Sequence, residues 1–223
     1  MAVIIRLFTG RLAAFIAVLL AVHLFAAPAQ AQFGGGHVQF TADQKAQLDK
    51  ISAYLNSLRI IKSGFIQMGP EGQMDQGQFL LEKPGKLRFE YSPPNQTLIV
   101  ATGGNVYIKN GRLNTVDRYR LSNTPLGLLL SDNVDLKNNL AVTGLEIQPD
   151  ALVLHARTFE NQQQGVITMV FSNPQIELRQ WTVKDAQGGN TTVALRNLQP
   201  GATLDPAIFA VPAKAPRQAS NNR

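Results

Sequence analysis

The sequence predicts a mainly β protein with a minor α component, built as an antiparallel barrel or strongly curved sheet of about eleven short strands. Three observations carry this. Apolar and polar residues alternate through successive short runs, as half-buried strands require. The gaps between runs hold turn formers: Pro84-Gly85, Pro93-Pro94-Asn95, Gly103-Gly104, Asn110-Gly111 and Gly188-Gly189-Asn190. Only two stretches after the leader change to helical spacing. Small barrels fill their interiors with side chains and larger ones can leave a ligand cavity, and a count near eleven leans toward a cavity.

Residues 1–31 account for the one long apolar run. Arg6 and Arg11 give a basic start, an apolar stretch follows over residues 12–27, and Ala29-Gln30-Ala31 is a small-residue cleavage site. This is the pattern of a secretory signal peptide, with Gln32 as the new N-terminus. A retained membrane anchor is the rival reading. No cysteine follows the run, so lipid attachment there is excluded, and none elsewhere supplies a disulfide or a thiolate. The formal charge of +6 falls to +4 without Arg6 and Arg11. That excess is scattered and accompanies no nucleic-acid motif, so nucleic acid is not an expected partner.

Residues 32–40, with Gly34-Gly35-Gly36, read as a flexible lead-in to a domain over residues 41–212. Thr41 is a good helix N-cap, Gln44 completes a capping box, and Leu48, Ile51, Leu55 and Leu58 recur at helical spacing. Residues 60–68 read as a strand and Gly69-Pro70-Glu71-Gly72 as a turn. The meander over residues 77–108 follows, and residues 113–118 pair back across Asn110-Gly111. In that meander Phe79, Leu81, Leu87, Phe89 and Tyr91 share one face with Lys83, while Lys86, Arg88 and Glu90 face the other way. A cation on a greasy face is unusual for a plain core.

Thr124-Pro125-Leu126-Gly127-Leu128-Leu129-Leu130-Ser131 breaks the alternation. Thr124 can cap, Pro125 suits the first helical position, and the leucines make a short helix that is apolar on nearly every side. It reads either as a buried core helix or as a lid over apolar surface. Residues 133–139 read as polar connection. Further strands are predicted at 141–148, 151–156, 165–171, 176–184 and 191–198, then a closing turn at Asp205-Pro206 and a disordered tail from 213 to 223.

Catalytic chemistry finds little support. His37 and His155 are the only histidines after the leader, no serine sits in a nucleophile elbow, and Glu146, Asp150 and Glu160 have no partner identifiable from spacing. No metal, cofactor or enzymatic activity is expected, and His155 reads as a strand residue with its ring on the solvated face.

The ordered series Gly77, Lys83-Pro84-Gly85-Lys86-Leu87-Arg88-Phe89-Glu90-Tyr91, Pro94 and Leu98-Ile99-Val100 resembles the LolA family of periplasmic lipoprotein carriers. The resemblance continues through Tyr107, Asn114-Thr115-Val116 and Thr124-Pro125-Leu126. It implies an incomplete, half-open antiparallel barrel with helices forming a lid over a hydrophobic cavity. The helix after Thr41 would cover one mouth. Leu87 stands where the family usually has Phe, and Phe89 where it has Trp or Phe, so the lining is similar in kind with less aromatic area. The implied lipid-binding wall is Phe79, Leu81, Leu87, Phe89 and Tyr91, opposed by Leu126, Leu129 and Leu130.

Lys83 occupies a position where the family often has an Arg that bonds carbonyls of the lid helix. A lysine lacks the planar fork that grips two carbonyls at once, which implies a weaker latch, or else a chain snorkelling to a sheet edge. The implied cargo is the acyl chains of lipoproteins bound for the outer membrane. The implied partners are the inner-membrane LolCDE transporter and an outer-membrane acceptor, LolB or the membrane itself. Lys86, Arg88 and Arg112 are candidate docking residues, and a monomer is expected. The alternatives are a sensor of related fold regulating an envelope stress response, and a periplasmic enzyme acting on lipid or glycan.

Overall fold

The computed structural model describes residues 38–124, 126–157, 166–185 and 187–213. The leader, most of the lead-in, His37, Glu160, Pro125 and the tail beyond residue 213 lie outside the described residues. Eleven antiparallel strands form one sheet: β1 (Ile60–Met68), β2 (Met74–Glu82), β3 (Lys86–Tyr91), β4 (Thr97–Thr102), β5 (Asn105–Asn110), β6 (Thr115–Arg120), β7 (Val142–Ile147), β8 (Ala151–Arg157), β9 (Val166–Ser172), β10 (Leu178–Lys184) and β11 (Asn190–Pro200). Their order is β6-β5-β4-β3-β2-β1-β11-β10-β9-β8-β7. The first and last strands therefore pair at the centre, and β6 and β7, consecutive in sequence, are the two free edges. The mainly β, unclosed antiparallel architecture is as predicted.

The segment linking those edges carries a 3-10 turn (Leu121–Asn123) and the short helix α2 (Leu126–Leu130). It differs locally from expectation. The Thr124 hydroxyl donates to the Leu121 carbonyl at 2.8 Å, closing the 3-10 turn before it. Leu113 lies in the β5–β6 turn, and the returning strand starts at Thr115. Residues 133–139, read as merely polar, bury Val134 and Leu136 at 3 % and 0 % exposure. The closing turn at Asp205 is a second 3-10 turn, Pro206–Phe209, capped by the Asp205 carboxylate and burying Phe209.

Helix α1 (Ala42–Ser57) begins with the expected capping box: the Gln44 amide donates to Thr41 Oγ1 at 3.2 Å, and the Thr41 amide to Gln44 Oε1 at 3.0 Å. Its spacing puts Leu48, Ile51 and Leu55 on one stripe, all fully buried. They join one apolar cluster with Phe65, Phe79, Leu81, Leu87, Phe89, Leu145, Leu154, Phe171 and Trp181 from across the sheet. Close approach of β2 and β3 depends on Gly77, where a Cβ would run into the Glu90 carbonyl and the Phe65 ring.

Candidate functional site

Alternation along β2 and β3 brings the five expected wall residues together, and the register fixes which ones meet. Phe79 opposes Phe89, Leu81 opposes Leu87, and Gly77 opposes Tyr91. The rings form a continuous group: Phe65 meets Phe89 and Tyr91 edge-on at 5.0 and 5.1 Å, and Phe79 lies 4.8 Å from Phe89. Trp181 closes the group at 5.9 Å from Phe79 and 6.1 Å from Phe89. These are favourable aromatic separations. The sequence reading expected a hollow behind this wall. The structure fills it instead, because the leucine stripe of α1 and the Phe65 and Trp181 rings occupy the space, leaving the five wall residues at most 9 % exposed.

What covers the wall is a helix held from outside by polar ties. Gln44 Nε2 donates to the Leu145 carbonyl at 2.8 Å, and the Leu178 amide donates to the Tyr54 hydroxyl at 3.0 Å. The Asn56 amide group makes a two-way pair with Val134, donating to its carbonyl at 2.9 Å and accepting from its N–H at 2.8 Å. Ser52 passes a hydrogen bond to Leu48 while accepting from the Leu136 amide at 3.1 Å. Each tie is a single net increment of about 1 kcal/mol added to the apolar contacts of α1.

Lys83 sits at the corner where both helices end. Its ammonium donates to the Leu55 carbonyl at 2.9 Å, and the residue is 7 % exposed. The acceptor therefore belongs to α1 and not, as anticipated, to the short leucine helix, and burial rules out snorkelling at an edge. Around it the Lys83 amide donates to the Arg59 carbonyl at 2.8 Å, the Gly85 amide donates to the Leu130 carbonyl of α2 at 3.0 Å, and Arg59 pairs with Asp132 at 2.6 Å. Gly85 has φ of +72°, so the turn that aims its N–H at α2 favours glycine. Burial lowers the Lys83 pKa to about 8, the nearby Arg59 charge adds to the drop, and Asp132 opposes it.

The second helix is less firmly seated. Leu129 and Leu130 are buried, whereas Leu126 and Leu128 are only partly covered. Beside it lies a cleft of about 290 Å³ bounded by Thr124, Leu128, Val134, Ala156, Arg157 and Ile167.

Two of the anticipated docking cations are engaged within the chain. Lys86 pairs with Glu82 at 2.8 Å and lies 5.9 Å over the Phe209 ring, while Arg88 bonds Glu90 at 2.9 Å and the Ile208 carbonyl at 3.0 Å. Arg112 is exposed. His155 bridges Thr168 Oγ1 at 3.1 Å and Glu146 Oε1 at 3.0 Å on the outer face of the sheet. Among the described residues no group of three acidic or histidine side chains is placed to hold a metal, and no helix is long and apolar enough to cross a membrane.

The sequence reading missed Ser52, Asn56, Val134 and Leu136. The alternation of Val134 and Leu136 in an otherwise polar stretch was the available signal. It also passed over Trp181, the chain's one tryptophan, at an inward strand position.

An unclosed antiparallel sheet whose apolar face is covered by helices defines the half-barrel class of covered apolar grooves. The family model described as outer membrane lipoprotein carrier protein LolA matches residues 56–212, and the chain belongs to that family. A protein of Methylococcus capsulatus named outer-membrane lipoprotein carrier protein is 27 % identical over 169 residues, covering 72 % of this chain and 80 % of its own length. One of the same name from Chromohalobacter salexigens is 26 % identical, covering 81 % and 84 %. Another from Nitrosomonas europaea is 29 % identical, covering 60 % and 66 %. The solved LolA superfamily protein of Nitrosomonas europaea superposes with a TM-score of 0.42 at 10 % identity, covering 73 % of this chain and 97 % of that one.

Proposed function

We propose that the protein is a periplasmic carrier that shelters lipoprotein acyl chains on their way to the outer membrane, and that it performs no covalent chemistry. The observation that carries this is the filled groove: a wall of Phe79, Leu81, Leu87, Phe89 and Tyr91 covered by a helix bound through side-chain ties. The energetics favour exchange. Lifting α1 uncovers Leu48, Ile51 and Leu55 at about 1.5–3 kcal/mol each, plus ties of about 1 kcal/mol apiece. An acyl chain of about fifteen methylenes gains roughly 12 kcal/mol on leaving water. One chain therefore offsets most of the cost of opening, and a second or third drives it.

In this reading Lys83 is the latch on α1, and Leu126, Leu129 and Leu130 of α2 form the second, more loosely held part of the cover. Residues 1–31 are removed on export, residues 41–212 are the working domain, and residues 213–223 are a tail. An inner-membrane transporter of the LolCDE type loads the carrier. LolB or the outer membrane itself takes the cargo by binding it more tightly.

The test uses a fluorescent triacylated lipopeptide. Mixed with the purified protein, it is expected to leave its micelles and co-elute with the monomer on gel filtration. Lipopeptide that stays micellar at every protein concentration would reject the proposal.

A further inference from the structure

The hairpin β5–β6 ends the sheet, and its outer side carries charge that no ion pair among the described residues uses. The register pairs Tyr107 with Arg118, Lys109 with Val116 and Asn105 with Arg120, so Lys109, Arg118 and Arg120 share one face. Arg112 stands in the turn beside them. The single carboxylate of the hairpin, Asp117, pairs with Ile108 and lies on the opposite face. Among the described residues none of these four cations forms an ion pair, in contrast to Lys86, matched to Glu82 on the adjacent strand, and Arg88, matched to Glu90 on its own strand. Four uncompensated cations on one edge repel one another, and an anionic surface would relieve that repulsion.

The same hairpin holds apolar side chains out in water. Leu113, next to Arg112 at the tip, is 67 % exposed; Tyr119 pairs with Val106 and lies on the face opposite the cations. The tip is built to stay in place: the Leu113 amide donates to Asn110 Oδ1 at 3.0 Å, and the Gly111 amide donates to the Gln96 carbonyl at 2.9 Å. An exposed leucine at the tip beside Arg112 suits the boundary of a lipid bilayer, where alkyl groups enter the headgroup layer and guanidinium groups meet phosphates. Soluble polyanions would satisfy the arginines and leave Leu113 unused. Arginines along a free edge also disfavour pairing with another strand.

We infer that the β5–β6 hairpin is a docking surface for an anionic phospholipid bilayer, gripping phosphates through Lys109, Arg112, Arg118 and Arg120 and inserting Leu113. The surface lies outside the apolar groove, so docking needs no cargo. Because β6 runs directly into the 3-10 turn and α2, a membrane-docked hairpin would place the loosely seated part of the cover beside the bilayer.

The experiment uses the cargo-free processed chain and vesicles of phosphatidylcholine alone or with about 30 % phosphatidylglycerol. Co-flotation is expected with the anionic vesicles only, and it should be lost as salt rises from about 0.05 M to about 0.5 M. Arg118→Glu with Arg120→Glu is expected to lower partitioning by at least about tenfold. A control reversing the exposed Lys45 and Lys50 of α1 should leave it within about twofold of the parent. The chain has no cysteine, so Leu113→Cys takes a single environment-sensitive dye whose emission should shift to the blue on anionic vesicles. Equal binding to both vesicle types, no binding, an unshifted dye, or binding indifferent to the paired arginine reversal would each overturn the inference. Lipopeptide solubilisation by the same reversed variant should be intact, which separates failure of this surface from failure of the carrier reading.

Discussion

A lysine ammonium buried against a backbone carbonyl is costly to keep charged, and that cost lowers its pKa. Lys83 has its pKa lowered to about 8 by burial and by Arg59, against 10.5 for a free lysine. Between those values the unfolded chain binds a proton that the folded chain does not, so stability rises with pH over that window and the penalty is complete below it. Tyr91 limits the observable range. Burial and the Asp75 charge push its hydroxyl up to about 12, opposed by the hydrogen bond to Gln67, so above pH 10 the unfolded tyrosine ionises first and stability falls. Urea unfolding of the parent is therefore expected to show a gain approaching roughly 2 kcal/mol from about pH 8 to about pH 10. Lys83→Met should abolish that gain, and an equal slope in both proteins would show that the amine is not buried in solution.

At the level of elements, α1 is distinguished by how it is held. Its apolar stripe would suit any core helix, but Ser52 and Asn56 fix it to residues 134–136, and Lys83 fixes its last turn to the β2–β3 corner. Asn56→Ala removes both halves of the Val134 pair and leaves two backbone groups to find water, a loss of about 1–3 kcal/mol. Hydrogen exchange of the α1 amides is expected to speed up in that variant by about tenfold or more while β1 and β11 amides keep their protection. Uniform acceleration throughout the sheet would show that α1 is an integral part of the core and not a separable cover.

These elements also show where sequence reasoning succeeds and stops. Thr41 with Gln44, and Phe79 to Tyr91, were legible because capping and alternation act between neighbours in the chain. The acceptor for Lys83 was not, because a backbone carbonyl on Leu55 has no side-chain signature. The emptiness of the groove was misjudged for a related reason: a strand count bounds the size of a barrel, but only the placement of α1 decides what fills it.

For the whole molecule, the free edges β6 and β7 leave the sheet unclosed, and among the described residues the apolar wall is buried as in an ordinary core. In the proposed reading the leucine-striped helix is a stand-in for a ligand, keeping the aromatic wall buried until an acyl chain replaces it. Such an arrangement predicts carriage without a permanent cavity, with the sheet strands keeping their register while the helices yield. The most direct measurement is the release of radiolabelled lipoprotein from spheroplasts bearing their loading transporter, with and without the purified protein. The account predicts a soluble complex of lipoprotein and carrier that forms only on addition of the protein. Lipoprotein that remains wholly in the inner membrane with the protein present would contradict it.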